Sequence, residues 1–487
     1  MGLPRFVITL ACCLVLWATS AAVAAEEKFP RGGNVAREGT AKPKRDRPRL
    51  SLEQAVQTTI RRNPRVGEAL ARIRQRVWEE QAVYSDFFPS ATVDYAGTWN
   101  RYKVGAGGFG PPDHVSRYSA SVAERRLKDD GTGRRGLKAD INYPYRIDPW
   151  KRFRGAVTVT QPIYQGGKTV SDDNIAKLQV TNSELQLQVD RQDLILEAYQ
   201  AYYSMMLAEL VLEVVRESIS NLEKLKNLNE KFLRAGTVTR TDVLSTEGQL
   251  YAAYVEQRGF IRDIEAARAR LNNLLSNPPE TPIEIEQDYK KRSNPYNVPQ
   301  IYNIAMANRD EIVQTTNLIR QGIEATKSAS ASLLPRVSLT AVGNRSNDDW
   351  NVLDPEGNND WTLTGVLTWT FNMFRNNSTV KQKREVVSEL VLARQRLVQN
   401  ISQNVKIAYL DMKNSEGNIN DYRRMVATRS ENFRLFQMRY QQGDVSFTEV
   451  LIAENDYVRS KANYYGALVY YRINEAILER QMGILRR

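Results

Sequence analysis

Two periodicities divide the chain. From Lys168 to Arg234 apolar residues recur at helical spacing. Ile195, Ala198, Tyr199, Tyr202 and Met206 are followed by Ile219, Leu222, Leu225, Leu228 and Phe232, with charges filling the other faces. Neither proline nor glycine interrupts this stretch, so the pattern predicts a single helix. At about 1.5 Å per residue it would span roughly 100 Å. That is too long for a compact domain and reads as a coiled-coil-like layer. A return helix over Asp242–Leu275 is expected from Leu250, Tyr254, Ile261, Ile264 and Leu271. Elsewhere the period is two. Ala91, Val93, Tyr95, Gly97 and Trp99 alternate with Thr92, Asp94, Ala96 and Thr98. Val337, Leu339, Ala341 and Gly343 alternate with Ser338, Thr340 and Val342, and Leu363, Gly365 and Leu367 with Thr362, Thr364, Val366 and Thr368. This predicts strands at Ser90–Asn100, Ala156–Tyr164, Arg336–Arg345 and Trp361–Phe371.

The chain contains itself twice. Phe88-Pro89 corresponds to Leu334-Pro335, and Gln161-Pro-Ile-Tyr-Gln-Gly-Gly167 to Phe371-Asn-Met-Phe-Arg-Asn-Asn377. With Gly236 set on Gly443, Arg234–Leu244 corresponds to Gln441–Leu451. Each copy predicts a helix, two strands, a long helix, a tight turn and a second long helix. The first copy occupies residues 50–277, a proline-rich connector 278–297, and the second copy 298–487. The first copy carries 36 extra residues between its proline and its Gly-Gly, in a Gly-, Pro- and Arg-rich stretch that reads as loop insertion.

Alternating strands of about ten residues are the weak signature of a membrane barrel, and equally of an ordinary half-buried sheet. Aromatic residues near strand ends (Tyr95, Trp99, Tyr143, Tyr145, Trp150, Trp361 and Trp369) favour the barrel, where they would form interfacial girdles. The pattern leaves open which alternating set would face lipid.

Residues 1–25 read as an export signal: Arg5, an apolar run from Phe6 to Trp17, and small residues ending in Ala22-Val23-Ala24-Ala25. Residues 26–49 read as a flexible basic linker. Both cysteines, Cys12 and Cys13, fall in the signal, and the lone histidine is His114. No cysteine or histidine cluster for a metal is therefore expected, and no cofactor. Gly105-Ala-Gly107-Gly-Phe-Gly110 matches a nucleotide-binding pattern by letter, but Pro111-Pro112 follow where a helix should start. Without a P-loop, G-x-S-x-G or H-E-x-x-H motif, an enzyme is not expected. The net charge of +12 on an exported chain points to anionic lipid or acidic partners, not nucleic acid.

Together these residues and motifs resemble a family. The duplicated unit, with Leu52-Glu-Gln-Ala-Val56 and Asn63-Pro64 early in the first copy, is similar to TolC-type outer-membrane factors. Gln161–Gly167 resembles their strand-to-helix motif, and Gly236–Leu244 and Tyr440–Leu451 their two inter-helix turns. The resemblance implies a mixed α/β membrane protein working as a homotrimer. Four strands per protomer would make a 12-stranded β-barrel in outer-membrane lipid, continued by a long periplasmic α-helical barrel. Its expected function is the exit duct of a tripartite efflux or type I secretion system, with a periplasmic adaptor protein and an inner-membrane transporter as partners. The turns, Ala235, Gly236, Thr237 and Val238 with Gly443, Asp444 and Val445, would be the docking tips. Asp242, Glu449 and Tyr440 would line the periplasmic aperture. There, repeated carboxylates would form a negative ring with some raised pKa values, while Asp242 and Glu449 also suit helix N-terminal capping. Some family members carry a basic residue after the second-turn glycine, and here Asp444 and Val445 stand instead. Closure would then rest on other contacts, with Arg240 or Arg439 as candidates. The competing expectation is a periplasmic or surface structural coiled-coil protein without a channel.

Overall fold

The computed structural model describes residues 49–100, 150–288, 297–347, 350 and 358–485. The signal segment and the basic linker before Arg49 lie outside these residues. So do the Gly105–Gly110 match, His114, Tyr143, Tyr145 and residues 289–296 of the connector.

The elements are α1 (Leu52–Arg62), α2 (Pro64–Tyr84), β1 (Ser90–Asn100), β2 (Trp150–Tyr164), α3 (Lys168–Arg234), α4 (Arg240–Leu274), α5 (Val298–Asn308), α6 (Asp310–Ser330), β3 (Arg336–Asn347), β4 (Asn358–Thr368), α7 (Met373–Gln442) and α8 (Phe447–Gln481). Local chemistry sets many of the boundaries. The Ser51 hydroxyl accepts from the Gln54 N–H, and the Gln54 side chain accepts from the Ser51 N–H, a capping box that opens α1. Asn63 ends α1 in extended backbone and accepts from the Arg65 N–H to cap α2. Pro64 takes the first helical position, where no N–H is needed.

The two long helices, α3 with 67 residues and α7 with 70, would each reach about 100 Å. Nearer the sheet the helices pack in the order α2–α3–α6–α7, and farther from it in the order α4–α3–α8–α7. Where the layers change over, Tyr202, Tyr203, Met205, Met206 and Leu271 are buried in one cluster, and Ile301, Val405, Met412 and Leu478 in another. Each such side chain contributes about 1.5–3 kcal/mol by leaving water. The ends of these rows carry exposed apolar side chains: Trp78 on α2, Leu244, Tyr251 and Val255 on α4, and Leu392 and Leu410 on α7.

The sheet is antiparallel in the order β1-β2-β3-β4, so the two repeats meet at β2–β3. Three strands differ from the sequence reading, and of these β3 simply runs on from Arg345 to Asn347. β2 starts at Trp150, not Ala156, because Lys151-Arg152-Phe153-Arg154 pairs along β1 up to Asn100↔Trp150, and its three cations hid the alternation. β4 is Asn358–Thr368, not Trp361–Phe371. Its last pair is Arg336↔Thr368, and beyond it the Trp369 indole N–H donates to the Leu333 carbonyl.

The register also sorts the faces. Directly paired residues share a face, so Val93 groups with Val157, Gly343 and Trp361, and Ala91 with Val159, Ala341 and Leu363. The opposite face joins Thr92, Thr158, Val342 and Thr362, and beside them Asp94, Ala156, Asn344 and Asp360. Over these central rows one face is therefore apolar across all four strands and the other mostly polar, while Lys151, Arg345 and Asn359 join the apolar side towards the far end. On the polar face Arg154 donates to the Asn344 side-chain oxygen at 2.7 and 3.2 Å. Exposed aromatics lie towards both ends of the strands: Trp99 and Trp361 towards one, and Phe88, Tyr164, Trp369 and Phe371 at the other.

The strand-to-helix turn explains the Gln-Gly-Gly motif. Gly166 and Gly167 have φ of 66° and 85°, and a Cβ on Gly166 would lie 2.8 Å from the Ala331 carbonyl oxygen, in the short turn before β3. Gly166→Ala combines a left-handed backbone with a backbone clash, and is expected to destabilise by about 2 kcal/mol or more. Thermal unfolding should show the drop. Gly167→Ala, with open space at its Cβ, should lose clearly less.

Candidate functional site

The two inter-helix turns are built alike. At the end of α3, Gly236 adopts φ 74° and the Thr237 N–H donates to Phe232 O at 2.9 Å. At the end of α7, Gly443 adopts φ 84° and the Asp444 N–H donates to Arg439 O at 2.9 Å. These are helix C-terminal turns closed by a glycine in the left-handed region. Val238 and Val445 each follow and pack against the same cluster, formed by Leu225, Phe433, Tyr440, Phe447 and Val450. Ala235, Gly236, Thr237, Gly443 and Asp444 are exposed.

Asp242 and Glu449 occupy equivalent positions one turn later, and both are caps. The Asp242 carboxylate accepts from the Thr239 N–H at 2.9 Å and the Thr239 hydroxyl at 2.7 Å. Glu449 accepts from the Ser446 N–H at 2.8 Å and its hydroxyl at 3.0 Å. The bonds from Ser446, helped by the charge of Arg439, hold the Glu449 carboxyl below its ordinary pKa. Within one protomer this is opposite in sign to the raised values expected of a crowded carboxylate ring. Among the described residues, neither Arg240 nor Arg439 enters an ion pair.

Tyr440 packs inward within the single chain. It is 5% exposed, with its ring 5.9 Å from that of Phe232 and 5.6 Å from that of Phe447. The ring lies beneath the turn, between Phe232 of α3 and Phe447 of α8. Its hydroxyl donates to Asn229 Oδ1 at 2.6 Å, Asn229 Nδ2 donates to the Thr246 hydroxyl at 2.9 Å, and that hydroxyl donates to the Asp242 carbonyl at 2.8 Å. Asn229 and Thr246 are both fully buried. The chain of bonds ties α7 to α3 and α4 just above the tips, and burial raises the Tyr440 hydroxyl to about 12, keeping it a donor. Sequence reasoning missed Asn229. The available signal was an amide set within the apolar stripe of Leu225, Leu228 and Phe232, a position where polar residues fix register.

The chain as a whole is similar to known proteins. The family model for the outer membrane efflux protein matches residues 55–277 and 301–483. The chain is 19% identical to the probable efflux pump outer membrane protein TtgC of Pseudomonas putida, over 89% of this chain and 83% of that protein. Its fold is similar to that of the outer-membrane channel OprN, with a TM-score of 0.72 at 17% identity over 89% of each chain. It is likewise similar to the outer membrane protein VceC of Vibrio cholerae, with a TM-score of 0.73 at 14% identity over 89% of this chain and 96% of that one. A duplicated helix–strand–helix unit, matched by the family model in two blocks that cover both copies, places this chain in the outer membrane efflux protein family.

Proposed function

We propose that three copies of this chain form an outer-membrane exit duct, which passes substrates from a periplasm-spanning helical tunnel to the exterior in a tripartite efflux system. The observation that carries the reading is the pair of open sides. Among the described residues β1 and β4 are unpaired along their outer edges, and the helix rows end in exposed apolar residues on α2, α4 and α7. Four strands cannot close on themselves, and open strand edges are not tolerated in lipid. Neighbouring copies would satisfy both sides at once, β4 against β1 and α7 against α2 and α4, and closed rotational symmetry makes this possible with one kind of contact. The apolar sheet face then meets lipid and the polar face the lumen. The sheet is the outer end, and the glycine turns are the periplasmic tips that meet an adaptor, itself joined to an inner-membrane transporter. This is a passage and not a catalyst: its work is to bound a path.

The protein extracted from outer membranes should run as a heat-resistant trimer, and a soluble periplasmic monomer would overturn the reading. In the assembled tip, Asp242 and Glu449 repeat around the axis, and carboxylate rings favour cations. In planar bilayers, Asp242→Asn combined with Glu449→Gln is expected to weaken cation selectivity and block by multivalent cations. If both stay unchanged and only the melting temperature falls, the two acids are caps alone.

A further inference from the structure

Two turns beyond the second tip, α8 buries a carboxyl group that capping and docking do not use. Glu454 is 1% exposed. Its one side-chain bond among the described residues is from the Ser218 hydroxyl of α3, 2.6 Å from Oε1. Ser218 lies in the α3 stripe of Val215, Ile219 and Leu222, which clusters with Leu250 and Ala253 of α4 and with Leu451, one turn back from Glu454 on α8. The nearby charges do not neutralise it. On α3, Glu217 is held by Lys461 and also accepts from the Tyr457 hydroxyl, both of α8. On α4, Glu256 adds a second like charge. On α7, Arg429 is engaged by Asp456 of α8. A carboxyl in this setting is tolerated when protonated and costly when ionised.

We propose that Glu454 is a proton-operated wedge, so that its ionisation separates α8 from the α3–α4 pair and loosens the end of the molecule that carries the tips. The uncharged acid fits the dry layer with the Ser218 hydroxyl as partner. The carboxylate requires water or a cation, which only a gap between α8 and α3 admits. On the exit-duct reading, on which this consequence rests, α7 and α8 are the pair that carries Gly443 and Glu449. Loosening α8 therefore frees one side of the aperture.

The sign follows from burial, which raises the Glu454 carboxyl from 4.5 to about 7, with Glu217 and Glu256 adding to the shift. A group raised in the closed state stabilises that state at low pH. The stabilisation is lost as pH rises from the open-state value to the closed-state value, and changes little above about 7. With these two values, opening becomes roughly 50-fold more frequent between about pH 5 and about pH 7.5.

The test is amide hydrogen exchange of the purified full-length protein across this window, corrected for intrinsic rates and read on the segment Phe447–Ser460. Opening should rise by that factor in the wild type and become nearly flat in Glu454→Gln, which keeps the size and the hydroxyl partner. Glu217→Gln, which leaves Glu454 in place, should retain most of the slope. A flat wild-type profile, or a Glu454→Gln profile with the wild-type slope, overturns the proposal. Exchange reads the helix layer whether or not the protein conducts, so failure of the duct reading would show separately in the trimer and bilayer experiments.

Discussion

Replacing both Gly236 and Gly443 by phenylalanine is expected to abolish export while the protein still reaches the outer membrane as a trimer. Both glycines have positive φ, and a Cβ built on either meets nothing within 4 Å. A side chain there has room within the chain, and its intramolecular cost is the left-handed backbone, about 1–2 kcal/mol per site. Alanine at both sites carries that same backbone cost without the bulk. If the tips dock on an adaptor, the phenylalanine pair loses export and the alanine pair keeps much of it. If the glycines serve only as helix C-caps, the two pairs fall together. Export measured in cells carrying the cognate adaptor and transporter, beside the trimer's melting temperature, separates the cases. Full export with the phenylalanine pair would end the docking assignment.

The parts of this molecule legible in the sequence are those set by local rules. The absence of proline and glycine from Lys168 to Arg234 predicts the extent of α3, because nothing in that stretch breaks a helix. The duplicated glycine turns are equally local, since a helix C-terminus in the left-handed region favours glycine. What was hidden depends on partners far away in the chain. The start of β2 lies in a run of cations that pairs only because β1 lies alongside. The burial of Tyr440 depends on the rotation of a 70-residue helix, where a small drift per turn decides whether the ring meets solvent or packs with Phe232 and Phe447. Asn229 and Glu454 sit in apolar stripes, and a stripe read for hydrophobicity passes over its polar exceptions. Those exceptions are where the interhelical chemistry lies. Asn229 joins three helices through hydrogen bonds, and Glu454 places an acid where burial favours its neutral form.

The largest effect on assembly is expected from one residue step along β2. Thr158 pairs with Thr92 and Val342, and Val159 with Ala91 and Ala341. The two are adjacent in sequence, lie mid-strand on a central strand, and point to opposite faces. Sequence alternation distinguishes the two sets without saying which meets lipid. The register extends the two sets across all four strands, and the exit-duct reading turns to lipid the set of Val159, which also carries Val93, Trp361, Leu363 and Leu367. Val159→Arg would put a guanidinium near the middle of the apolar band, at a cost of about 2–4 kcal/mol per protomer. Every copy carries the change, so three such penalties act on one barrel. Thr158→Arg puts the same group on the polar face, which already holds Arg154, Asn344 and Asp360, and is expected to cost little. The amount of trimer recovered from outer membranes and its dissociation temperature read the difference: Val159→Arg should lower both sharply and Thr158→Arg should stay near wild type. Equal losses from the two variants would count against one face turned to lipid and the other to the lumen. The reverse order would turn the barrel inside out, with threonines facing lipid and aromatic residues lining the lumen.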